Sequence, residues 1–246
     1  MAEKSKLYQL KLIKPLMSFL ETFIITFVDI ILHLDVHLQA IINTYHLWTY
    51  AILFIVVFCE TGLIFTPFLP GDSLLFTAGA FAAIDSLSLS LIFIIIFLAA
   101  VLGDLVNYTV GKHIGPKIFK KEKSLLFNKD YLMHTEQFYE KHGPKTIIAA
   151  RFIPVIRTFA PFVAGIGKMN ILAFAFYNII GAVLWCALFI LGGYFFGNIS
   201  FVKEHFNWVI IAIIVISFLP VIKGILAHLW KKKNNSNQEE KAQHQE

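Results

Sequence analysis

The sequence predicts an all-α, multi-pass membrane protein built as an inverted repeat. About four spanning helices, two opposed re-entrant hairpins and an N-terminal interfacial amphipathic helix make it up. Three observations carry this expectation. Hydrophobic residues make up 57% of the 246-residue chain, charged residues only 15%, and mean hydropathy is +0.70, well outside the averages for soluble domains. Four apolar stretches are long enough to cross a bilayer. Two others, Glu60 to Gly79 (ETGLIFTPFLPGDSLLFTAG) and Arg151 to Gly167 (RFIPVIRTFAPFVAGIG), place charges and prolines inside otherwise apolar sequence.

The elements follow in chain order. Met1 to Pro15 is polar, and the apolar run after it contains Glu21 and lacks a small-residue cleavage site, so no cleavable signal is expected. Leu16 to Ile42 is interrupted by Glu21, Asp29, His33, Asp35, His37 and Gln39. It reads as an amphipathic helix in the cytoplasmic interface rather than a fifth span. His33 and His37 share a helical face, but Asp35 points elsewhere and no cysteine joins them, so no metal is expected there. The spans are Leu47 to Phe65, Leu87 to Val110, Ile171 to Phe196 and Trp208 to Leu229, each of 19 or more residues. At 1.5 Å per residue such a helix reaches about 28 Å or more, the thickness of the hydrocarbon core. Pro67, Pro70 and Gly71 in one charged stretch, and Pro154, Pro161, Gly165 and Gly167 in the other, are expected to break helical hydrogen bonding at close intervals. Broken backbone at membrane depth persists only when covered by protein or lining a cavity, hence the two hairpins.

Lysines set the orientation. Lys4, Lys6, Lys11 and Lys14 precede the first span, eight lysines lie between Lys112 and Lys145, and Lys231 to Lys233 follow the last span. The positive-inside rule makes all three regions cytoplasmic, and the hairpins then enter from opposite faces. A faint repeat agrees: Phe65-x-Pro67 with Ala78-Gly79 resembles Phe152-x-Pro154 with Ala164-Gly165, and Gly111 and Gly115 echo Gly193 and Gly197. Residues 1–45 read as tail and amphipathic helix, 46–230 as the membrane transport domain, and 231–246 as a disordered cytoplasmic tail.

The charges carry the chemistry. An ionisable group at bilayer depth costs roughly 2.5 to 3.5 kcal/mol, so Glu60, Asp72, Arg151 and Arg157 left unpaired would cost about 10 to 14 kcal/mol. They must face one another or a wet cavity. Arginine presents a planar fork of donors suited to phosphate oxygens and keeps its charge, so Arg151 and Arg157 are candidate headgroup clamps; the plainer reading is that they only neutralise Glu60 and Asp72. A carboxylate in a poorly hydrated pocket takes up a proton more readily, which would release its arginine to phosphate. Asp104, with Asn107 one turn on, is either a second proton site or a group satisfied by a neighbouring hairpin. The glycine pairs Gly111/Gly115 and Gly193/Gly197 read as close helix packing. Trp48, Trp185, Trp208 and Trp230 include several near span ends, as interfacial anchors should be. Cys59 and Cys186 sit in apolar runs and read as small buried residues.

Three classes of function compete. A lipid transporter uses the arginines and the opposed hairpins. A membrane enzyme would need a nucleophile and base, yet His113, His134 and His142 fall in the polar central loop, so no catalytic residue is expected. An ion channel would employ Glu60 and Asp72 but leaves the arginines without a role.

The run from His33 to His37, then CETGLIFTPFLPGDSLLFTAG, GDLVNYTVGKHIG, QFYEKHGPKTIIAARFIPVIRTFAPFVAG and GGYFFG, resembles bacterial members of the DedA family, the prokaryotic side of the SNARE-associated or VTT-domain proteins. The resemblance covers about Asp29 to Leu229. It implies a multi-pass inner-membrane protein with opposed re-entrant hairpins, without cofactors, related to lipid scramblases. It places the family's key acids on Glu60 and Asp72 and its key arginines on Arg151 and Arg157. It implies translocation of undecaprenyl phosphate between leaflets, coupled to the proton motive force; the alternatives it carries are a nonselective scramblase, a phosphatidylethanolamine flippase and a proton or ion transporter. The expected partners are a membrane lipid (a polyprenyl phosphate or a phospholipid) and protons, with no nucleic acid; a homo-oligomer stays open.

Overall fold

Every regular element among the described residues of the computed structural model is helical. Those residues are 29–63, 71–118, 143–197 and 199–217, with a few isolated positions before 29 and Leu219. Pro67, Pro70, most of the lysine-rich centre and the tail with Trp230 therefore lie outside the description.

Helix α1 (Leu34–Tyr45) overlaps only the last part of the segment expected to be amphipathic, Leu16 to Ile42, and buries Leu34, Leu38 and Ile42 on one stripe. That stripe joins the main apolar cluster and packs on α2 (Trp48–Gly62) and α3 (Gly71–Ala82). His46, with φ 45°, turns the chain between α1 and α2. Helix α4 (Leu89–Ile118) holds the second expected span and runs eight residues beyond its expected end at Val110. The third span is Ile171–Phe196 as expected; this helix, α7, starts on an Asn170 cap whose carboxamide oxygen accepts from the N–H groups of Leu172 and Ala173. Among the described residues these two helices are long and apolar enough to cross a membrane, while α2 and α9 (Phe206–Ser217) are shorter apolar helices. Between α7 and α9 lies the single turn α8 (Ser200–Glu204).

The second charged stretch departs from expectation. It contains one break, not several. After α5 (Thr146–Ala150) three successive i→i−3 bonds form a turn over Arg151 to Ile153, and α6 (Pro154–Ile166) follows. Pro154 sits at the helix start, where its missing N–H costs nothing, and Ile153 before it is extended, as the residue preceding proline prefers. Pro161 and Gly165 lie inside α6 and do not interrupt it. Pro161 removes a single hydrogen bond, which burial of the helix against α4 offsets. Gly71 likewise opens α3 as a helix.

The packing is reciprocal. Helix α3 lies on the C-terminal part of α7, and α6 lies on α4. In both contacts glycines let backbones touch. A Cβ on Gly79 would strike the Ile190 carbonyl, and one on Gly193 the Phe76 carbonyl; one on Gly165 would strike the Tyr108 carbonyl, and one on Gly111 the Phe162 carbonyl. Helix α7 makes one π-helical stretch, Ala187–Leu191, where α3 crosses it.

Candidate functional site

The helix ends converge on a buried ionic cluster. Helix α2 ends with Glu60 and Thr61, α3 opens with Asp72 in its first turn, and α4 passes Asp104 and Asn107 through the same region. The turn after α5 supplies Arg151, the first turn of α6 supplies Arg157, and α7 supplies Asn178 and Trp185. Asp72 at a helix N-terminus is favoured by the dipole there. Glu60 supports the same helix end, its Oε1 accepting from the Gly71 N–H at 3.1 Å. A Cβ at position 71 would overlap the Glu60 carboxylate, which would have to shift from its place on the helix end.

Two ion-pair groups form. Arg157 donates through Nη2 to Glu60 Oε1 and through Nη1 to Asp72 Oδ1. Arg151 donates through Nη2 to Asp104 Oδ2 and to Asn178 Oδ1, the latter at 2.7 Å. Asn178 in turn donates to the Val101 carbonyl at 3.2 Å. All five ions are nearly sealed, from 0% exposure for Glu60 to 8% for Asp72. At such depth a pair gains from low dielectric, but losing one partner strands the other.

Trp185 stands between the groups. Its indole ring lies 5.8 Å from the Arg151 guanidinium carbon and 5.3 Å from that of Arg157, within cation–π range. Its Nε1–H donates to Asp72 Oδ1 at 2.8 Å, and Ser217 on α9 donates to Asp72 Oδ2 at 2.9 Å. Asn107 donates to the carbonyls of Thr61 at 3.1 Å and Thr158 at 2.7 Å, tying the end of α2 to the start of α6. Thr61, Asp104, Arg151, Arg157 and Trp185 line a narrow cavity of about 10 Å³, roughly the space of one water. Glu60 Oε2, Arg151 Nη1 and Arg157 Nε lack a hydrogen-bond partner among the described residues. The site thus pairs its charges and still holds unused donors on both arginines.

The structure brings together Glu60, Asp72, Asp104, Arg151 and Arg157. It divides them differently from the expected acid-pair and arginine-pair arrangement: both acids meet Arg157, while Asp104, satisfied by the turn that carries Arg151, completes the second group. Pro154 starts α6 just after the break at Arg151 to Ile153, as expected, whereas Pro161 and Gly165 act as helix residues rather than breaks. Trp185 was expected among the interfacial tryptophans, yet it is 1% exposed, against 73% for Trp48 and 69% for Trp208. Sequence reasoning also passed over Asn178 and Ser217. A usable signal existed, since a tryptophan or asparagine deep within a span is out of place for an anchor or a lipid-facing residue. Away from the cluster, His33 Nδ1 and His37 Nε2 each meet one oxygen of Asp29, at 2.9 and 3.0 Å.

Among the described residues the fold is all-helical, with two helices long and apolar enough to cross a membrane and a buried ionic site between the helices, the features of a helical membrane protein. Residues 69–195 match the VTT domain family. The chain is 53% identical over 203 residues to protein DedA of Escherichia coli K12, covering 82% of this chain and 93% of that one. It is 42% identical over 188 residues to an uncharacterized membrane protein of Mycobacterium tuberculosis (76% of this chain, 82% of the relative). It is 28% identical over 187 residues to inner membrane protein YqjA of Escherichia coli K12 (75% and 85%). No solved structure matches it. The chain belongs to the DedA family of VTT-domain membrane proteins.

Proposed function

We propose that this protein carries a phosphate-headed lipid, undecaprenyl phosphate, between the leaflets of the inner membrane, coupled to protons. The observation that carries the reading is the buried cavity with Arg151 and Arg157 on its wall, Arg151 held by Asp104 and Arg157 by Glu60 and Asp72, each with an N–H that lacks a partner among the described residues. Arginine forks suit phosphate oxygens, and a proton on Glu60, Asp72 or Asp104 would weaken its hold on an arginine and free it for a headgroup. Undecaprenyl phosphate is the lipid that the DedA resemblance implies. The reciprocal crossing of α3 on α7 and α6 on α4 supports two related halves, with residues 60–79 and 151–167 as re-entrant hairpins from opposite faces. The cluster offers paired charges and, among the described residues, no nucleophile with a base beside it, which fits a transporter better than an enzyme.

Reconstituted vesicles test this. Translocation of undecaprenyl phosphate should depend on a pH gradient, and Glu60→Gln should stop or uncouple it. Equal movement of phospholipids of every headgroup, indifferent to pH, would instead make the protein a nonselective scramblase.

A further inference from the structure

The cluster is unbalanced in charge. Three carboxylates, Glu60, Asp72 and Asp104, face two guanidiniums, Arg151 and Arg157. Fully ionised, the five groups sum to −1. The other polar groups around them are neutral: Trp185, Asn107, Asn178, Thr61 and Ser217. Among the described residues no lysine or histidine joins these ion pairs and hydrogen bonds. Exposure of 8% or less for all five ions leaves bulk water little part in compensating a net charge, and an uncompensated buried charge is strongly disfavoured.

We infer that the resting cluster holds one proton among its three carboxylates and admits a phosphate by taking up one further proton for each negative charge the phosphate brings. This rests on the proposed phosphate site. The geometry supplies the means: a proton on a carboxylate removes one charged acceptor from an arginine, and the phosphate oxygen replaces it. With one proton resident, two ionised carboxylates remain, enough to compensate a phosphate group carrying two charges. Binding and protonation are therefore one linked equilibrium, and translocation carries those protons with the headgroup.

The test is pH-dependent binding of dibutyl phosphate, whose single charge is constant between pH 5 and 8, to the full-length protein in detergent. Affinity should fall about tenfold per pH unit as pH rises, the mark of one proton taken up per anion. Calorimetry in buffers of different ionisation enthalpy should count the same proton. The double variant Glu60→Gln/Asp104→Asn leaves one carboxylate for two arginines, and should bind with no pH dependence. Wild-type binding indifferent to pH would overturn the proton count while leaving the phosphate site standing. No binding at millimolar probe, in protein that melts cooperatively, would overturn the phosphate site itself. Should the double variant fail to fold, the wild-type slope alone decides.

Discussion

The first half of the chain, α2 to α4, brings only acids to the cluster: Glu60, Asp72 and Asp104. The second half, α5 to α7, brings only arginines: Arg151 and Arg157. Backbone packing, by contrast, treats the halves alike, each lending a short helix to the other's long helix through a glycine contact. The difference separates two kinds of adhesion. Glycine contacts fix where the halves cross through backbone shape alone, whereas every ion pair of the cluster joins one half to the other through charge.

Removing an arginine should break this contrast most strongly. Arg157→Ala strands Glu60 and Asp72, buried at 0% and 8% exposure, and should cost about 3 to 5 kcal/mol with loss of function. Arg157→Lys should recover part of the stability and little activity, since lysine lacks the fork. Thermal unfolding in detergent and complementation measure the two; full activity in Arg157→Ala would make that charge incidental.

Trp185→Phe sharpens the comparison. It keeps an aromatic face beside both guanidiniums and deletes the N–H bonded to Asp72. A loss of about 1.5 to 3 kcal/mol is expected in thermal unfolding. A loss below about 0.5 kcal/mol would reduce Trp185 to packing.

Gly165→Ala and Gly193→Ala probe the other kind of adhesion. Each new methyl would meet a backbone carbonyl of the opposite half, so each should cost about 1 to 3 kcal/mol, equally at all pH. Gly143→Ala, with φ 74° and open space around it, should cost about 1 kcal/mol for backbone strain alone. Melting curves of the three rank crossing contact against local strain.

Asp29→Asn should have the smallest effect. The hydrogen bond with His37 chiefly, and with it the contacts of His33, holds the Asp29 carboxyl below its ordinary value against an opposing effect of desolvation. A depressed carboxylate stabilises above the unfolded value, about 3.9, and loses that contribution as pH falls through the lower folded value. The melting difference between Asp29→Asn and wild type should therefore persist at neutral pH and vanish in acid. A difference that grows on acidification would refute the assignment.

Legibility varied with the kind of signal. The span Ile171–Phe196 was readable to the residue because an unbroken apolar run has no other outlet. The burial of Glu60, Asp72, Arg151 and Arg157 was readable because charges in apolar sequence need partners. Pro161 misled, because a proline forbids one hydrogen bond but packing decides whether the helix yields. Trp185 was hidden among tryptophans that do sit on the surface.

Composition and pattern alone determined that this chain is helical, that it belongs in a membrane, and that its buried charges must meet. Those follow from properties of single segments: length, hydropathy and the cost of an isolated ion in an apolar medium. Tertiary structure decided which acid meets which arginine, put Asp104 beside Arg151 and Trp185 between the two guanidiniums, and sorted the acids and arginines across one interface. Pairing depends on distances between helix ends some tens of residues apart in sequence, and only the crossing of those helices sets such distances.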